Sequence, residues 1–230
     1  MQASVSSLRK KPWIDPDIGV SLMAKLSNFQ SDALQEIGSI GMGNATTALS
    51  NILNSKVQLN LSNAQITDIR SMSAMVPSSM TLAAVVMDLK RDLTGTMMLL
   101  FDFSSAATLS SFLVSNNTHE DDPEMYESAL NEIGNILAGS YLKSMYKFLG
   151  VEVLHSTPSI VLGTAEKVFK EIEIRLNEAS VGVLNIETMF QVQGLCSPQG
   201  NCTLYGDMFL FLNDDSLNSL LSFIDKLVNV

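Results

Sequence analysis

Apolar residues recur at three- and four-residue steps through Ala33, Leu34, Ile37, Ile40, Ala45, Ala48, Leu49 and Ile52. This spacing predicts an amphipathic helix running to about Asn54, with Ser31 or Asp32 as its cap. Gly38, Gly41 and Gly43 weaken that helix intrinsically, so their crowding points to a close backbone approach. Residues 57–61 alternate and read as a strand. Residues 80–90 and 95–103 read as two strands around the polar turn Lys90-Arg91-Asp92, and Leu109, Phe112 and Leu113 share one face of a following helix. A similar order then recurs. Residues 128–149 form a helix with Leu130, Ile133, Ile136, Leu137, Leu142 and Met145 as its apolar face. Strands are expected at 151–154, 168–175, 181–192 and 203–212, and an amphipathic helix at 217–228. Residues 1–27, interrupted by Pro12 and Pro16, read as an extension whose single tryptophan, Trp13, buries its ring.

The recurrence is visible in the residues themselves. The segment from Asp32 to Ile40 lies over the segment from Ser128 to Ile136 at an offset of 96, with seven of nine positions identical or similar. Gly43 then meets Gly139, and Leu53 meets Leu149. The stretch 95–113 lies over 206–224 at an offset of 111, mainly as an apolar pattern. We therefore expect residues 28–228 to form one domain of two homologous halves, about 28–118 and 124–228, packed around an approximate two-fold axis with a shared sheet. Two fused halves already supply the internal two-fold interface, which is compatible with a monomer and leaves the oligomeric state open.

Composition narrows the function. The 230 residues are 46% hydrophobic and only 17% charged, and the formal net charge is −10. Such a chain suits neither a phosphate backbone nor an anionic lipid surface, so nucleic acid is not expected as a partner. No 18-residue apolar run and no signal peptide are visible, so no membrane insertion and a cytoplasmic location are expected. Cys196 and Cys202 flank a loop and could cross-link, but two thiols near a hairpin turn is the plainer reading. With only His119 and His155 besides, a tetrahedral zinc site lacks ligands. The glycines at 38, 41 and 43 do not follow a phosphate-loop spacing.

The segment Glu132-Ile133-Gly134-Asn135 carries the candidate chemistry. Glu132 and Asn135 are i and i+3 on a helix and face the same way. A carboxylate can pair with an ammonium, and an amide offers a donor and an acceptor in fixed relation, suited to orienting a water for attack on phosphorus. Spacing alone equally suits two solvent-facing helix residues. Glu36 recurs at the duplicated position.

These residues resemble a known pattern. Asp32-xxx-Glu36-xx-Ser39 and Ser128-xxx-Glu132-xx-Asn135, the latter followed after 22 residues by Pro158, are similar to the motif of the CheC/CheX/FliY family of chemotaxis phosphatases. The run from Glu36 to Ala45 resembles the first helix of CheC proteins. The resemblance covers about residues 28–228. It implies an α+β fold: a pseudo-two-fold αβ duplication with an extended, largely antiparallel sheet packed with long helices. It also implies hydrolysis of the aspartyl phosphate of a phosphorylated CheY-like response regulator. Glu132 would pair with the receiver's lysine, Asn135 would position the attacking water, and Pro158 would shape the neighbouring loop. Mg²⁺ would be held by the receiver, with no metal or other cofactor bound by this chain. CheD is a possible second partner.

The first copy departs from the motif. Ser39 stands in place of Asn and Ser62 in place of Pro, so Glu36 and Ser39 form a degenerate site. Asn44 cannot substitute, being eight residues past Glu36 and so about 12 Å along the helix. One working site on the second motif helix is expected, the alternative being a non-catalytic adaptor that binds a receiver domain or CheD. The N-terminal extension could serve as a receiver-binding peptide or as a strap on the body. A FliY-like motor-switch role would need a further domain, for which no room is expected after Val230.

Overall fold

The computed structural model describes residues 26–67, 69, 73, 76–117, 123–176, 181–193 and 204–227. Trp13, His119, Cys196 and Cys202, and almost all of the 1–27 extension, lie outside these. The elements run in the order α1 (Asn28–Leu53), β1 (Val57–Thr67), β2 (Thr81–Arg91), β3 (Gly95–Asp102), α2 (Phe103–Asn117), α3 (Pro123–Leu149), β4 (Val153–His155), β5 (Ser159–Thr164), α4 (Ala165–Leu176), β6 (Val181–Val192), β7 (Leu204–Asn213) and α5 (Asp214–Lys226).

All strand pairs are antiparallel. The seven strands lie in one sheet of order β1-β6-β7-β3-β2-β4, with β5 also paired to β2. The last two share one edge: β4 runs beside Leu89 to Arg91 and β5 beside Thr81 to Val86. Because successive strand residues face opposite sides, the uninterrupted apolar run of β2 feeds two cores. Ala83, Val85, Met87 and Leu89 pack under α1, α2, α3 and α5. Leu82, Ala84 and Val86 face the other way, against Ala165, Val168, Phe169 and Ile172 of α4. Each fully buried Val or Leu contributes about 1.5–3 kcal/mol, so central strands covered on both faces anchor the fold. The result is an α+β architecture, as expected.

The helix boundaries have local causes. Ser27 and Gln30 form a reciprocal capping box at the start of α1, so the helix begins before the expected Ser31 or Asp32. Gln30 Nε2 also donates to Asp225 Oδ1 of α5 at 2.9 Å. α3 starts at Pro123 instead of 128, since a first-turn proline loses no intrahelical bond. Beneath it, α1 crosses close at Gly41, where a Cβ would stand 3.0 Å from the Tyr141 Cα.

Two strand expectations change. β1 extends to Thr67, well past 61. Residues 168–175 are not a strand but the body of α4. The alternation of Ile172 and Ile174 with acidic neighbours imitates a strand, yet burial follows Ala165, Val168, Phe169 and Ile172, a helical spacing, and Ile174 is 65% exposed.

Candidate functional site

α3 carries the candidate pair. Leu130, Ile133, Leu137 and Tyr141 are buried on its inner side. At about 100° per residue, Glu132 and Asn135 fall on the outer side, about 60° apart and one turn from each other. Glu132 is exposed and Asn135 half-buried, and neither is bonded to another described residue. Both polar groups are thus open to a partner.

Gly134 sets the height of that pair above the sheet. A Cβ at this position would lie 2.7 Å from Val85 Cγ1 and 3.7 Å from Leu99 Cδ1. The bare helix backbone rests on β2 and β3, and any side chain here would lift α3. This packing accounts for the glycine between the two candidate residues.

Pro158 is buried in the turn between β4 and β5. That turn is stitched to β2. The Ser156 N–H donates to the Asp88 carbonyl at 2.9 Å, and the Asp88 N–H donates to Ser156 Oγ at 3.0 Å. Beyond the proline, Ser159 Oγ donates to the Val86 carbonyl at 3.3 Å and accepts from Arg175 Nη2 at 3.2 Å. Arg175 in turn pairs with Glu171 at 3.7 Å.

Two contacts align the turn with the helix. Gly134 sits on Val85, whose cross-strand partner is Ile160. Five residues on, Gly139 lies beside His155, with 3.9 Å from its notional Cβ to Nε2. Asn135 falls between the two glycines, and Pro158 falls between His155 and Ile160. The stretch of α3 that holds Asn135 therefore passes near the chain that holds Pro158; Glu132 stands one turn further along α3.

The first copy is arranged differently. Ile37 and Gly38 are buried while Glu36 and Ser39 are exposed on the outer face of α1. Ser62 lies within β1, where the pairing with β6 slips register between Leu61 and Asn63 but the strand continues. No turn comparable to the one at Pro158 interrupts that edge.

Tyr141, on the inner side of α3, is fully buried, and burial pushes its hydroxyl well above the usual tyrosine range; among the described residues its oxygen has no hydrogen-bond partner. Among the described residues, no group of three or more His, Cys, Asp or Glu could hold a metal ion, and no helix is long and apolar enough to cross a membrane. Sequence reasoning missed His155 as a neighbour of the site. Its only signal was position, three residues before Pro158.

Comparison with known proteins follows the same residues. The model of the CheC-like family matches residues 29–60 and 125–162, the stretches that hold Glu36, Ser39, Glu132, Asn135 and Pro158. The CheY-P phosphatase CheC of Bacillus subtilis (strain 168) is 27% identical over 178 residues, 74% of this chain and 83% of that protein. The flagellar motor switch phosphatase FliY of the same organism is 28% identical over 140 residues, 60% of this chain but only 36% of FliY. The chain thus spans most of the first relative and about a third of the second. Among solved structures, Thermotoga maritima FliY aligns with a TM-score of 0.68 at 19% identity, over 87% of this chain and 98% of that one. The FliM middle domain from H. pylori aligns at 0.57 and 15% identity, over 86% and 99%. Both share the fold.

Proposed function

The chain belongs to the CheC/CheX/FliY family of chemotaxis phosphatases, and from that premise we propose that it dephosphorylates a CheY-like response regulator at one site on α3. The observation that carries this reading is the pairing of exposed Glu132 with half-buried Asn135 one turn apart, on a helix seated on the sheet through Gly134 and facing the Pro158 turn. Glu132 pairs with a lysine of the receiver and orients the docked domain. The Asn135 amide holds a water in line with the aspartyl phosphate. The water oxygen bonds to phosphorus as the bond from phosphorus to the aspartate oxygen breaks, leaving a carboxylate and inorganic phosphate that takes up the water's proton. Such chemistry needs positioning more than a strong base. Mg²⁺ is assigned to the receiver's acidic residues, as part of the substrate.

The same reading treats residues 28–228 as one domain of two duplicated halves, with 1–27 as an extension. Exchanging the halves maps β1 on β4 and β5, β2 on β6, and β3 on β7, and the strand order then reads the same from either edge. The helix caps repeat as well. Asp102 Oδ1 accepts from the Ser105 N–H at 2.9 Å, and Asn213 Oδ1 accepts from the Ser216 N–H at 2.8 Å, both pairs at the offset of 111. Ser39 in place of an amide leaves Glu36 as a docking residue at most. That substitution is what favours the second reading, an adaptor that binds a receiver or CheD without hydrolysis.

Phosphate release from a phosphorylated receiver with Mg²⁺ separates the two. Acceleration by the wild type, lost in Asn135→Ala and Glu132→Ala and retained in Glu36→Ala, is the expected result. No acceleration by the wild type, with or without CheD, would leave the adaptor.

A further inference from the structure

We infer that His155 is a positioning residue that braces the Pro158 turn against α3 and so fixes where Asn135 stands; this rests on the reading of Asn135 as the catalytic amide. His155 is half-buried at the end of β4, on the sheet face that carries α3, opposite buried Leu89 of β2. Its Nδ1 lies 3.0 Å from the Ser156 carbonyl oxygen. A carbonyl only accepts, so Nδ1 carries the proton and the ring orientation is set by that bond. Ser156 is itself held to Asp88 by two hydrogen bonds, two residues before Pro158. The opposite edge of the ring faces α3 at Gly139, with Nε2 3.9 Å from where a Cβ would stand. Gly139 is one helical turn past Asn135.

One side chain therefore stands between the two stretches, bonded to the turn through Nδ1 and turning its Nε2 edge toward the bare backbone of the helix. Gly134 fixes the height of α3 above the sheet, and the helix's buried inner face with the α1 crossing at Gly41 fixes its rotation. The imidazole then sets the spacing of the turn from the helix at the end of the site nearest β4. The turn has its second tie at the other end, through Ser159 and Arg175. Asn135 sits between the two.

The test uses the full chain with CheY of Bacillus subtilis as probe, phosphorylated with acetyl phosphate and Mg²⁺. Phosphate release gives kcat and KM, and amide hydrogen exchange is read at Ser156. In His155→Ala we expect kcat to fall about tenfold with KM within about twofold, because misplacing a reacting group by about 1 Å costs up to about a hundredfold. Ser156 exchange should rise at least about tenfold as the turn opens more often. His155→Asn keeps a donor where Nδ1 stood but has no ring edge toward α3, so it should recover the Ser156 exchange and leave kcat low. Gly139→Leu, which crowds the ring from the helix side and leaves Ser156 untouched, should lower kcat as His155→Ala does; this variant and His155→Asn decide the matter if His155→Ala does not fold. Unchanged kcat and exchange in His155→Ala would overturn the brace, as would full recovery of kcat in His155→Asn. A wild type without activity on the probe would remove the phosphatase reading alone. Exchange would then decide the brace, upheld if Ser156 opens in His155→Ala and overturned if it does not.

Discussion

Replacing Gly134 with alanine tests whether the bare backbone of α3 sets the site. The new Cβ would stand 2.7 Å from Val85 Cγ1, about 0.8 Å short of the ~3.5 Å at which carbon atoms pack. Val85 cannot easily yield, being fully buried and β-branched, with one preferred rotamer on its strand. Either it leaves that rotamer or α3 rises. Overpacking of this kind costs about 1–3 kcal/mol, against about 1 kcal/mol gained from the better helix propensity of alanine. Gly139→Ala is the internal control, since its Cβ would meet only His155 Nε2, at 3.9 Å, an ordinary contact. Both substitutions share the propensity gain, so their difference isolates the crowding. Gly134→Ala should be less stable than Gly139→Ala by about 1–3 kcal/mol in urea unfolding at equal m-value. Adding Val85→Ala to Gly134→Ala should recover part of the crowding penalty, measured as a coupling energy in the double-mutant cycle. If the two alanine variants agree within about 0.5 kcal/mol, below the smallest overpacking cost, then α3 does not rest on β2 as argued and Gly134 has no positional role.

Tyr141→Phe should hold or raise stability by about 1 kcal/mol, because it removes a buried hydroxyl without a partner. The same variant has a pH signature: burial raises the folded-state pKa, so this stability is complete below the ordinary tyrosine value of 10.0 and lost above it. The wild type should therefore lose about 1.4 kcal/mol more per pH unit above that value than Tyr141→Phe does, measured by urea unfolding at stepped alkaline pH; equal slopes would contradict it. Ser39→Asn, introduced into Asn135→Ala, supplies an amide one turn from Glu36 and should raise phosphate release at least about fivefold over Asn135→Ala, well below the wild-type rate, since one positioned group supplies about 10²–10⁴-fold. No gain at all would mean that the first helix lacks more than its amide.

The helices and central strands were legible because their burial is one-sided or complete. The three- and four-residue spacing of Leu34, Ile37, Ala45 and Leu49 marks α1, and the apolar run from Leu82 to Met87 marks a strand covered on both faces. The Glu132 and Asn135 pair was legible for the same reason: buried Ile133 and Leu137 fix which side of the helix is inside. The misread α4 shows the limit. Its Ile and Glu alternation carries both periods over a few residues, and only the tertiary cover over β2 selects between them. Nor does sequence show which stretches face one another. That Gly134 meets Val85 and that Gly139 meets His155 depends on α3 lying over β2 with β4 and β5 beside it.

The two edges of the sheet explain why one motif is complete and the other is not. On one edge β1 runs unbroken from Val57 to Thr67. On the other, the corresponding stretch is split into β4 and β5 around residues 156–158. Proline removes a ladder donor and fixes its own backbone angle, so it suits a break and not a continuous strand. At Ser62, the position that corresponds to Pro158, the first edge shows only a slip in register, the milder form of the same irregularity. A bulged strand keeps its pairing and brings no turn toward the helix above it. The first helix therefore presents Glu36 and Ser39 on an open face, whereas the helix that carries Asn135 passes near a turn held by Ser156, Ser159 and Arg175. Loss of the amide at 39 and retention of an unbroken strand at 62 are thus two aspects of one difference. On the proposed reading, a carboxylate alone would dock a receiver through its lysine, while an amide beside a fixed turn would hold a water in line better than one on an open face. That is why Ser39→Asn is expected to restore only part of the wild-type rate: the edge strand beneath the first helix is not interrupted.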